Sequence, residues 1–241
     1  MKKIIFLLSF LLLALPAHAP NAQMLVASTW AQGTTGAVTW TLIQHLSNFT
    51  CSTDSCSKTG VTTTAGDLLV LCSAIEATSP SFSSASGDGT WTHPAGVAGV
   101  QGLIATDCVY RLSATGGTGL TINFTWTGSS PSGSDIEFYE VRRSTGTATY
   151  DVGNKTTSSD CTSCTGPALT LTGSSDFIAQ IGNFVRSFTA PGAPWTNPSD
   201  LDNGGNLDAG FLGALNQSSG GAVTWSQSPS AAASMSALSF K

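Results

Sequence analysis

The chain has 241 residues, with 9 Lys+Arg against 14 Asp+Glu, and only 10% of its residues are charged; 33 Ser and 32 Thr supply most of the polarity. An acidic balance (pI ≈ 4.9) without a basic cluster excludes a binder that works by neutralising nucleic-acid phosphates. Scarce charge excludes a coiled coil, and 41% hydrophobic content with a small net charge excludes a disordered chain.

Residues 1–19 have the layout of a signal peptide: Lys2 and Lys3, an apolar run over 4–15 broken only by Ser9, and Ala17-His18-Ala19 at the cut. The run is about a dozen residues, short of the ~20 that a spanning helix needs. Cleavage is expected between 19 and 23, because Pro20 is a poor residue directly after the cut. A domain over 24–241 then follows, and no later segment reads as a transmembrane helix. The n-region is bacterial in style. The expected destination is the periplasm, the cell surface or the medium.

The first predicted strand covers 37–46. Cys51 and Cys56 come next, in the polar, turn-rich NFTCSTDSCSKTG. A strand over 67–75 carries Cys72, and the turn SGDGTWTHP carries Asp88, Trp91 and His93. A strand over 102–112 holds Cys108. Residues 120–127 alternate, with Leu120, Ile122, Phe124 and Trp126 on one face and Thr or Asn on the other, as in a half-buried antiparallel strand. Further strands are predicted over 135–143 and 147–152, then Cys161 and Cys164 in SSDCTSCTGP, then strands over 168–172 and 176–185. Residues 191–210 read as a loop that presents Trp195 between two prolines, with Asp200, Asp202, Asn203, Asn206 and Asp208 as oxygen donors. Strands over 209–215, 222–226 and 235–240 close the chain.

Ten to twelve short strands separated by Gly- and Ser-rich turns, with no helical period, predict a single all-β domain, an antiparallel β-sandwich or closed barrel. In an oxidising compartment six cysteines favour disulfides. Local pairing predicts Cys51–Cys56, Cys161–Cys164 and a strand-to-strand Cys72–Cys108 bridge, although six cysteines allow fifteen connectivities. A redox CxxC lacks the helix N-terminus that would stabilise a thiolate, and a four-thiolate zinc site would have irregular spacing.

An internal echo is also legible. Thr64-Ala65-Gly66-Asp67 leads into LLVL, Ser81-Phe82 and Trp91; Thr172-Gly173-Ser174-Ser175-Asp176 leads into FIAQI, Ser187-Phe188 and Trp195. The pentapeptide GAVTW occurs at 36–40 and 221–225. In so biased a composition, coincidence explains such matches as readily as duplication.

The strand entry TTAGDLLVLCSA, the GDGTW turn, YRLSATGGTGLTINFTW, FYEVRRSTGTATYD and the terminal MSALSFK follow an order that resembles secreted bacterial jelly-roll domains akin to concanavalin-A-like lectins and carbohydrate-binding modules. The resemblance covers most of 36–241 and implies a jelly-roll sandwich, a lectin-like glycan-binding role and a family without assigned activity. In jelly-roll endoglucanases resembling laminarinases, a bulged strand carries Glu-x-Asp-x-x-Glu. Here Asp135, Glu137 and Glu140 stand as Asp-x-Glu-x-x-Glu, the first two acids exchanged.

Three functions follow as expectations. The first is an exported, disulfide-stabilised module binding glycans or a surface target through Trp195, Trp91, Asp88, Asp200 and Asp202. The second is an adhesive or structural subunit of the cell exterior, suited by low charge and edge strands. The third is a β-glucan hydrolase using Glu137 and Glu140 with Asp135, which needs a bulge to bring Glu140 onto the face of the other two. An enzyme is the less favoured reading. No cofactor is implied; Ca²⁺ suits the oxygens of 200–208, but their spacing is not that of a helix–loop–helix calcium loop.

Overall fold

The computed structural model describes residues 37–241 apart from 78, 129–132, 190 and 203–207; the expectation of a signal peptide over 1–19 falls outside the described residues. The described chain is all β, with no helix, and its strands pair antiparallel throughout. Fifteen strands are described, more than the sequence pattern counted. They are β1 (Trp40–Leu46), β2 (Thr50–Cys51), β3 (Ser55–Thr63), β4 (Leu68–Glu76), β5 (Ser81–Ser86), β6 (Gly99–Gln101), β7 (Ile104–Arg111) and β8 (Gly117–Thr127). There follow β9 (Gly133–Arg143), β10 (Tyr150–Thr165), β11 (Asp176–Phe184), β12 (Phe188–Thr189), β13 (Thr196–Asp202), β14 (Asp208–Gln217) and β15 (Thr224–Phe240).

They form three sheets. The central one has the order β1-β9-β4-β7-β6, a second has β10-β15-β11-β14-β13 with β12 beside β15, and a third has β2-β3-β8-β5. β4 explains the stacking. Its sequence LLVLCSAI is apolar without alternation, as a strand covered on both faces must be. Leu68, Val70, Cys72 and Ala74 pack with Phe177, Ile181, Phe211, Leu238 and Phe240 of the second sheet. Leu69, Leu71 and Ile75 pack with Ile122, Phe124 and Trp126 of the third. The alternation of β8 puts its apolar face into that second core and its Thr/Asn face outward. All three expected disulfides are closed: Cys51–Cys56, Cys161–Cys164, and Cys72–Cys108 between directly paired residues of β4 and β7.

The internal echo is a repeat of topology. The strand orders of the two larger sheets correspond one for one, β1 with β10, β9 with β15, β4 with β11, β7 with β14 and β6 with β13. The registers agree as well. Leu68 of β4 pairs with Val141, and Phe177 of β11 pairs with Phe240, each directly after the echoed Asp67 or Asp176. Both edge strands break register at the matching place, between Leu42 and Gln44 in β1 and between Tyr150 and Val152 in β10. Even the local disulfides match: Cys56 lies opposite Phe124, and Cys164 opposite Trp225. Phe82 packs 5.4 Å from Phe124, and Phe188 packs 5.2 Å from Trp225. GAVTW is not part of this repeat, since Trp40 belongs to the core between the larger sheets and Trp225 to the far face of the second.

Three sequence expectations change. Residues 168–172 make only a single bridge, Leu169 to Gly220. The strands expected at 222–226 and 235–240 are one 17-residue strand. The loop expected over 191–210 contains β13, paired along β14.

Candidate functional site

The aromatic candidates serve the cores. Trp91 is buried, with its indole N–H donating to the Gly87 carbonyl at 2.8 Å. Trp195 is half-buried and packs against the apolar clusters on the far face of the second sheet. Burial leaves Trp91 little ring surface for stacking on a sugar, whereas Trp195 keeps part of its surface open. Asp88, at φ 56°, is a turn anchor: its carboxylate accepts from Thr63, from the Thr115 N–H at 2.5 Å and from the Gly116 N–H at 3.4 Å. Asp200 and Asp202 belong to β13, opposite Gly210 and Asp208, and their side chains lie outside the described residues, as do Asn203 and Asn206.

The acids of β9 do not converge. The pairing of β9 with β4 runs without a bulge from Gly133 to Val141, so strict alternation holds. Asp135 and Glu137 face the second sheet, and Glu140 faces the opposite way. Glu137 is buried and bonds His45. Burial and the neighbouring Glu137 push the Asp135 carboxyl well above its ordinary range. The cavity beside Asp135 and Asn183 holds only about 20 Å³, room for one water. Glu140 accepts from the Thr64 N–H at 2.6 Å and from Gln44 at 2.5 Å. Retaining hydrolysis needs two carboxyls about 5–5.5 Å apart at one sugar, and Glu137 and Glu140 are on different faces.

A further concavity lies away from all the candidate residues considered so far. A groove of about 480 Å³ runs where β9, β11 and the chain terminus meet, lined among others by Arg143, Thr149, Thr172, Ser175, Asp176 and Lys241. Its edge is tied to the core through Trp40, whose indole N–H donates to the Ser175 carbonyl at 2.8 Å. Beside it, Asp151 accepts from the Thr172 N–H at 2.7 Å and the Thr172 hydroxyl, and pairs with Lys241 Nζ at 3.0 Å. Burial by itself would raise the Asp151 carboxyl; these bonds outweigh it and hold it down at about 2. Asp176 has the opposite environment. It is fully buried and set against the Asp151 carboxyl, and no N–H or hydroxyl among the described residues reaches either of its oxygens. Burial, then the adjacent Asp151, pushes it up to about 6. Gly173 makes its space, since a Cβ there would sit 1.8 Å from Asp176 Oδ1.

The signal that could have found this site was the echo itself, which ends on Asp67 in one copy and on Asp176 in the other. Among the described residues, no three His, Cys, Asp or Glu side chains are grouped to hold a metal ion. Comparison of the chain with family models, curated proteins and solved structures gave no match.

Proposed function

We propose that the chain is an exported binding module for glycans or another cell-surface or extracellular target. The observation that carries this reading is the groove at the end of β11, walled by threonine and serine hydroxyls and by both signs of charge. A ligand rich in hydroxyls is both donor and acceptor at every position, which is what such a lining can satisfy. Three closed disulfides suit an oxidising, extracytoplasmic setting, in line with export by residues 1–19. No helix among the described residues is long and apolar enough to cross a membrane. The jelly-roll and lectin-like assignment rests on the sequence resemblance and goes with this reading.

The test is retention of the purified domain on a glycan array and on insoluble polysaccharides. Binding to a defined subset is expected, and silence across both would remove the reading. A second reading, an adhesive or structural subunit, is favoured by one feature. β1 ends the central sheet with its outer edge unpaired among the described strands, and Leu42 and Ile43 on it are 38% and 39% exposed. Light scattering of concentrated protein separates the two, because a strict monomer argues against assembly through that edge.

A further inference from the structure

The repeat supplies an internal control for the groove. In the first copy the residue after Val141 is Arg142, and its guanidinium closes the Asp67 carboxylate as a fork: Nε to Oδ1 at 2.9 Å and Nη2 to Oδ2 at 2.8 Å. In the second copy the residue after Phe240 is Lys241, whose ammonium is spent on Asp151 and Thr172. A lysine offers a point charge where arginine offers a planar fork, so it cannot serve Asp151 and both Asp176 oxygens together. Asp176 is therefore the same position left open. A donor in the same groove is also unmet: Arg143 Nε is buried with no acceptor among the described residues. A buried carboxyl set only against another carboxyl, and a buried donor with no acceptor among the described residues, are costly unless something else completes them.

We propose that this groove is a saccharide subsite in which one ligand hydroxyl donates to Asp176 and a neighbouring oxygen accepts from Arg143 Nε. The proposal rests on the glycan-binding reading and fixes where on the molecule it acts. A neutral polyol fits better than an ion, because Asp151 and Asp176 are balanced by Lys241 and Arg143. Asp176 lines the groove although it is itself fully buried, so the proposal includes a movement of a neighbouring side chain, which we assign to Lys241, 41% exposed and paired with the adjacent Asp151. The Asp67 position, already filled by Arg142, binds nothing.

The test is a titration of ¹⁵N-labelled full domain with methyl glycosides and with soluble oligosaccharides drawn from whichever array positions bind. Expected are shifts at the Trp40 indole N–H, at residues 172–176 and at Lys241, with an affinity loss of about tenfold or more in Asp176→Asn and again in Arg143→Gln. Asp67→Asn is expected to leave affinity unchanged. Shifts elsewhere, or binding insensitive to Asp176→Asn in a protein whose spectrum is otherwise native, would overturn the subsite while leaving glycan binding in place. No shift with any sugar, together with a silent array, would overturn both.

Discussion

Asp151 and Asp176 face each other, and the fold treats them oppositely. Asp151 is held charged by Thr172 and Lys241, at about 2, whereas Asp176 is pushed up to about 6 by burial and by Asp151. The signs differ accordingly. A folded value above the unfolded one, as at Asp176, gives stability that is full below about pH 4 and is lost as pH rises through 6. A folded value below the unfolded one, as at Asp151, gives stability that is full above about pH 4 and is lost as pH falls towards 2. Asp176→Asn removes the first effect. The variant is expected to match the parent near pH 4 and to be about 1–2 kcal/mol more stable at pH 7, read by urea denaturation at the two values. An equal offset at both pH values would contradict the assignment. This pair was not legible as a pair, because its members are far apart in sequence. The acids of Asp135–Glu140 are neighbours in sequence, yet an unbroken strand sends Glu137 and Glu140 to opposite faces.

Strands that bury one or both faces were readable, and those that bury little were not. The apolar runs of β4 and β11 and the alternation of β8 mark themselves. β5, with sequence SFSSAS, and the exposed parts of β3 and β10 have a composition that turns share, and only tertiary pairing makes them strands. Of the disulfides, Cys72–Cys108 closes the longest loop, with a sequence separation of 36 against 5 and 3. On chain entropy, replacing that pair by alanines should cost about 4 kcal/mol, and replacing Cys51 and Cys56 about 2. Denaturation of both double variants checks the ranking. The reverse order would mean that the small loops hold more structure together than their length implies. At the edge of the repeat, Asp67 and Arg142 form a two-pronged bond, and Arg142→Lys is expected to lower the denaturation midpoint through loss of the fork alone. No change in denaturation midpoint would contradict it.

At the scale of the whole molecule, two copies of one strand order pack through a shared core, and the first adds a third sheet on its far face. The fold class could be read from turn spacing and alternation, whereas stacking in three sheets could not, because no local pattern says which side of a sheet a later strand will cover. Burial raises Asp135, Glu140 and Asp176 together, whereas its hydrogen bonds lower Asp151. The melting temperature is therefore expected to be higher near pH 4–5 than at pH 8, measured by calorimetry in matched buffers. A rise from pH 5 to pH 8 would contradict that balance. The measurement that bears most directly on the central claim is a crystal structure of the domain grown with an array-positive oligosaccharide. Sugar density between Asp176 and Arg143, with Lys241 turned aside and the Asp67–Arg142 pair undisturbed, is the predicted result. Sugar bound elsewhere, with Lys241 still paired with Asp151, would contradict it.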